Sequence, residues 1–125
     1  MRLFIADANR EFRLALQVFL HQEPNMDVVG LAAHSNGLLA QIEATKPDVL
    51  LLDCQLPDRD VAELITEIRA LKLPIKIVVI SIQPDEEIKD VDSGADAIIE
   101  KTNQPEELKD FLRSFRDEEY SRNQE

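Results

Sequence analysis

One cysteine, Cys54, is all the thiol that this chain of 125 residues carries, which excludes an internal disulfide and any zinc site built on cysteine. Positive charge is scarce as well: 14 Lys and Arg stand against 25 Asp and Glu, a formal net charge of −11. Clustered cations are what bind a phosphate backbone, so nucleic acid is excluded as a direct partner. The acidic balance suits cations and basic protein surfaces instead. No apolar run approaches the ~18 residues of a membrane span, and no cleavable N-terminal signal is expected. The expected setting is therefore the cytoplasm, with no membrane partner. Long linkers, internal repeats and low-complexity segments are missing too. What is there is a single-domain length in which 44% of the residues are hydrophobic, enough for one core.

Five β-type runs alternate with helix-type stretches. The runs are "RLFIA" (2–6), "DVVGLAA" (27–33), "DVLLLD" (48–53), "IKIVVIS" (75–81) and "ADAIIE" (95–100). Most are continuously apolar, the pattern of strands covered on both faces. Between them lie amphipathic stretches marked by Phe12, Leu16 and Phe19, by Leu38, Leu39 and Ile42, and by Val61, Leu64, Ile65, Ile68 and Leu71. The last helix is signposted by Asn103 and Glu106 at capping-box spacing, by Pro105 in its first turn, and by Leu108, Phe111, Leu112 and Phe115 on one face. Such βα repeats predict an open parallel sheet with helices on both sides, a three-layer, doubly wound (βα)5 domain over residues 1–116. The polar tail "DEEYSRNQE", 117–125, is expected to fray.

In sheets of this kind ligands bind outside the carboxyl ends of the strands. Asp7 follows the first strand, Asp53 ends the third, Ser81 ends the fourth and Lys101 follows the fifth. A strand order of 2-1-3-4-5 makes all four neighbours on one rim. Taken singly, a strand-end Asp reads as a helix cap and a lone Lys as a solvated charge. Taken together, each at the correct end of its strand, they read as a site.

"LFIADANREFRLAL", "PDVLLLDCQLPDRD", "IVVIS" and "GADAIIEK" followed by "PEEL" resemble the response-regulator receiver domain of two-component signalling, in the subgroup often fused to a helix-turn-helix DNA-binding domain. The resemblance covers residues 1–116 and implies a flavodoxin-like fold with the order 2-1-3-4-5. It implies that Asp53 is the phosphoacceptor, that Asp7, Asp53 and the Gln55 backbone carbonyl hold Mg²⁺, that Ser81 is the switch hydroxyl, and that Lys101 contacts the phosphate. Lys101 is expected within contact of the Asp53 carboxylate. Gln55 and Gln83 lie where the family tunes dephosphorylation. The implied partners are a histidine kinase or phosphotransfer protein, and a downstream protein or second receiver on the face made by the fourth helix, fifth strand and fifth helix, a homodimer included. If the chain is complete, with no DNA-binding segment after the last helix, action through protein contacts is expected, with no chemistry beyond phosphoryl transfer to the chain's own Asp.

Three departures from the family bear on that reading. Ala8 stands where most receivers have a second acid, usually the direct metal ligand, so Mg²⁺ binding is expected to be weakened by at least the ~10 to 100-fold typical of lost outer-shell partners. Val61 stands where Gly is usual. Ile98 replaces a Tyr or Phe whose ring rotates on activation. These departures keep a second reading open, a phosphorylation-independent pseudo-receiver. The segment from Ser81 to Gly94 is shorter than in the subgroup, and Ile88 and Val91 alone anchor its expected short fourth helix. Asp58 and Asp60 read as a turn residue and the N-cap of the third helix, His21 as a partner of helix-terminal carbonyls, and Cys54 as a small buried hydrophobe. A haloacid-dehalogenase-like phosphatase would need an Asp at the position of Gln55. A flavin carrier would need a phosphate loop rich in Ser, Thr and Gly where "DANREF" has no glycine.

Overall fold

The aliphatic runs form five parallel strands, β1 (Arg2–Ala6), β2 (Asp27–Ala32), β3 (Val49–Asp53), β4 (Lys76–Ser81) and β5 (Ala97–Glu100). They pair in the order β2-β1-β3-β4-β5, the expected flavodoxin-like arrangement. The structure is a computed structural model that describes residues 1–82, 94–101 and 106–123. Among the described residues the helices are α1 (Arg10–His21), α2 (Leu38–Thr45), α3 (Val61–Ala70) and the terminal helix α4 (Glu106–Asn123). The expected helix between β4 and β5, with Ile88 and Val91, lies outside the described residues, as do Gln83, Asn103 and Pro105.

Both faces of the sheet are covered, which is why the central strands read as unbroken aliphatic runs. Side chains alternate across a strand. Phe4, Leu50, Leu52, Ile77 and Val79 therefore face one way, against Leu38 and Ile42 of α2 and Leu64, Ile65 and Ile68 of α3. Leu3, Ile5, Leu51, Val78 and Ile80 face the other way, against Leu16 and Leu20 of α1 and Leu108 and Leu112 of α4. Val61, in a position where glycine was the family expectation, is buried in the first of these cores at the start of α3. Asp60 caps that helix as expected, its carboxylate accepting from the Glu63 amide at 3.3 Å.

Strands begin one or two residues later than expected wherever an Asp precedes them. The Asp48 carboxylate accepts from the Arg2 amide and the Asp96 carboxylate from the Ile77 amide, each at 2.7 Å. These side chains take up neighbouring strand amides while the Asp48 and Asp96 amides donate to the Arg2 and Ile77 carbonyls.

The polar tail continues the last helix, and α4 runs on to Asn123. No Gly or Pro interrupts the helix after Glu106, and its middle is clamped to the α1–β2 loop. Arg113 donates to both carboxylate oxygens of Glu23 at 2.6 and 2.9 Å, Lys109 Nζ lies 3.8 Å from the same group, and Arg116 donates to the Pro24 carbonyl.

Two outcomes follow from this packing. The β1–β2 register skips Val29, so that Gly30 sits opposite Phe4, and a Cβ at Gly30 would overlap the buried Phe4 ring. Gly30→Val is expected to cost about 1 to 3 kcal/mol, read as a lowered urea midpoint at unchanged slope. The second outcome concerns pH. Arg113 holds the Glu23 carboxyl below its ordinary value, so this pair stabilises the fold above that ordinary value and its contribution is lost as pH falls through the lowered one. Glu23→Gln should melt below wild type at neutral pH, and the gap should close as the solution is acidified past the ordinary glutamate range.

Candidate functional site

The residues marked by their positions at strand ends meet at the carboxyl edge of the sheet. Asp7 lies just past β1 and is 1% exposed, Asp53 ends β3 at 8%, and Ser81 ends β4 at 1%. Lys101 lies just past β5, its amide donating to the Ser81 carbonyl at 2.7 Å so that the β4–β5 ladder extends to it. Its ammonium reaches Asp7.

Asp7 owes its orientation to the first turn of α1. Its amide continues the β1–β2 ladder by donating to the Ala32 carbonyl at 2.9 Å, and its carboxylate accepts from the Asn9 amide at 2.8 Å. Asn9 in turn caps α1 by accepting from the Phe12 amide at 2.9 Å. Arg13 donates to the Asp7 carbonyl at 2.6 Å. The Asp53 carboxylate is held by two backbone donors, the Gln55 amide at 3.0 Å and the Ala8 amide at 3.3 Å.

The ammonium takes Asp7, not the expected Asp53, as its carboxylate partner, with Lys101 Nζ 2.9 and 2.8 Å from the two Asp7 oxygens. Asp53 already has its backbone donors, whereas Asp7 is the more deeply buried acid and the costlier to leave without a countercharge. Burial pushes the Asp7 carboxyl above its ordinary value. Lys101 and the Asn9 amide pull it down, and the charge of Asp53 adds to the rise.

Gln55 is exposed beside Asp53. Ala8 contributes only its amide, as its side chain requires. Ile98 is 41% exposed on β5. Cys54 lies one residue beyond β3 and is half-buried against the core rather than enclosed in the strand. Asp58 does not turn toward Ala8: its carboxylate accepts from the Ser35 amide at 3.0 Å, and the Ser35 amide and hydroxyl hold its carboxyl below the ordinary value. His21, the last residue of α1, and His34 are both exposed.

Two residues went unrecognised in the sequence. Phe12 falls on the core-facing period of α1, yet Lys101 Nζ stands over its ring, 4.4 Å from the centroid. Arg13, not singled out in the sequence, braces the Asp7 backbone. Their position in the first turn after a site Asp was the available signal.

Known proteins share this architecture. VraR of Staphylococcus epidermidis is 28% identical over 115 residues, which cover 90% of this chain and 55% of that protein. The uncharacterized transcriptional regulatory protein YhcZ of Bacillus subtilis is 34% identical over 110 residues, 86% of this chain and 51% of that protein. The chain thus spans about half the length of the curated relatives it matches. Among solved structures, the signal receiver domain of NarL from Mycobacterium tuberculosis aligns with a TM-score of 0.81 at 27% identity, covering 90% of this chain and 93% of that one. RcsB from Salmonella enterica serovar Typhimurium aligns with a TM-score of 0.82 at 24% identity, covering 94% and 60%. The match to the response regulator receiver domain extends over residues 3–113, from the second residue of β1 into α4, and the chain belongs to that family.

Proposed function

We propose that this receiver accepts a phosphoryl group on Asp53 from a phosphohistidine of a histidine kinase or phosphotransfer protein, and that the modification switches a protein-interaction surface. The observation that carries the reading is the placement of the Asp53 carboxylate: at a rigid strand end, held by two backbone amides, on the rim that also carries Ser81 and Lys101. A carboxylate oxygen of Asp53 attacks phosphorus in line, an O–P bond forms, and the P–N bond to the donor imidazole breaks, the imidazole leaving with the electron pair. The Ala8 and Gln55 amides orient the attacking group. Lys101 balances charge on the rim. The product is an acyl phosphate with up to about two negative charges, whose oxygens draw on the Ser81 hydroxyl and so connect the site to the end of β4.

Receiver domains generally bind Mg²⁺ at the phosphorylation site. The side chains of this chain do not fit that ion in the arrangement they adopt. Among the described residues no three His, Cys, Asp or Glu side chains cluster as a metal site, both Asp7 oxygens face the Lys101 ammonium, and position 8 carries a methyl group. The expected ligands, Asp7, Asp53 and the Gln55 carbonyl, therefore give at most weak binding.

The output is a contact with a downstream protein or a second receiver, a homodimer included, through a surface that contains β5. There Ile98 offers a half-exposed aliphatic contact with no ring to rotate. A pseudo-receiver is favoured by one observation, the missing acid at Ala8 combined with the closed Asp7–Lys101 pair.

Intact mass after incubation with a small phosphodonor separates the two readings. Wild type should gain the mass of one phosphoryl group and Asp53→Asn none, while Lys101→Ala should react about 100-fold more slowly, the scale for a lost charge-stabilising donor. An unmodified wild-type chain would leave the pseudo-receiver reading in its place.

A further inference from the structure

The Asp7–Lys101 pair is more enclosed than a phosphate-contacting lysine at an open rim needs to be. The Lys101 side chain is 14% exposed and that of Asp7 2%. The ammonium is held on two sides by different chemistry, both Asp7 oxygens on one and the face of the Phe12 ring on another. The seat is built by one short piece of chain, since the Asn9 amide orients the Asp7 carboxylate, the Asn9 side chain caps the turn that carries Phe12, and Arg13 braces the Asp7 backbone.

We infer that Lys101, seated between Asp7 and Phe12, is a built-in counter-cation that replaces the divalent ion in the resting site, so that this receiver holds its acidic rim together without Mg²⁺. Formal charge supports the assignment. Asp7, Asp53 and Lys101 sum to one negative charge, whereas a further acid in place of Ala8 would make it two. A divalent ion therefore neutralises the rim of an ordinary receiver but would leave this one with a net positive charge. It would also have to displace an ammonium from both oxygens of a buried carboxylate and from the ring beneath it. The methyl group of Ala8 and the lysine seat are then two parts of one exchange: the acid that would recruit the metal is gone, and a cation fixed in the chain occupies its partner carboxylate. The inference concerns the resting site and stands whether or not Asp53 is phosphorylated.

Thermal unfolding of the full chain with Mg²⁺ as the probe tests it, against a monovalent salt of matched ionic strength. The wild-type midpoint should not respond to millimolar Mg²⁺ beyond the salt control. Lys101→Met, which keeps an apolar stem over Phe12 and uncovers Asp7, should show a saturable rise, with affinity at least about tenfold above wild type. Lys101→Arg, which restores the charge, should be as unresponsive as wild type. Saturable binding to wild type at submillimolar Mg²⁺, or a Lys101→Met protein as indifferent as wild type, overturns the inference. Should Lys101→Met fail to fold, Mn²⁺ added to the wild type decides: unbroadened amide signals of Ala8 and Cys54 at equimolar metal support it, and selective broadening of those signals overturns it.

Discussion

Two carboxylates, Asp7 and Asp53, stand at the same end of an otherwise aliphatic sheet, and much of the local structure serves to make that tolerable. Taking Asp7 out of water is the larger cost, and the charge of Asp53 adds to it. The offsets come from three separate elements. The first turn of α1 gives Asp7 the Asn9 amide, the loops after β1 and β3 give Asp53 the Ala8 and Gln55 amides, and the residue after β5 gives Asp7 an ammonium. Strand order puts all of these groups on one rim, and the Lys101 ammonium reaches both Asp7 oxygens there.

Aspartate does different work at the two ends of the sheet. Asp48 and Asp96, at the amino ends, are used on strand amides, and Asp96 also pairs with Arg69, whose guanidinium reaches the Gly94 and Ile75 carbonyls. These acids fasten strand starts and face no comparable concentration of like charge. At the carboxyl ends no further strand residue follows to receive the charge, so Asp7 and Asp53 share a rim with Ser81 and Lys101. The same residue type thus fastens strand starts at one edge and gathers charge on one rim at the other.

The fold was legible because aliphatic runs of strand length leave few alternatives: strands covered on both faces, parallel, and ordered so that the strand-end acids converge. Asp60 as a cap and the convergence of Asp7, Asp53, Ser81 and Lys101 were legible for the same local reasons. The choice of Lys101 between two acids was not, because position at a strand end brings the ammonium near both, and the decision rests on burial and on backbone donors that only the folded turns supply. Phe12 was concealed by the helical period, which assigns an aromatic to the core without showing that its ring also lies under a cation. The clamp on the last helix was not legible, since the pairing of Arg113 with Glu23 joins residues 90 positions apart and leaves no mark in local sequence.

The central claim is that a charge change at Asp53 is felt at Ser81 and along β5 through the shared rim. Two-dimensional amide spectra of the whole chain before and after treatment with a phosphodonor address it directly, with the modification confirmed by mass in the same sample. The account predicts displaced signals for Ser81, Ile82, Ile98 and Lys101 in wild type and none in Asp53→Asn. A wild-type chain that carries the phosphoryl group while those four signals stay in place would contradict it.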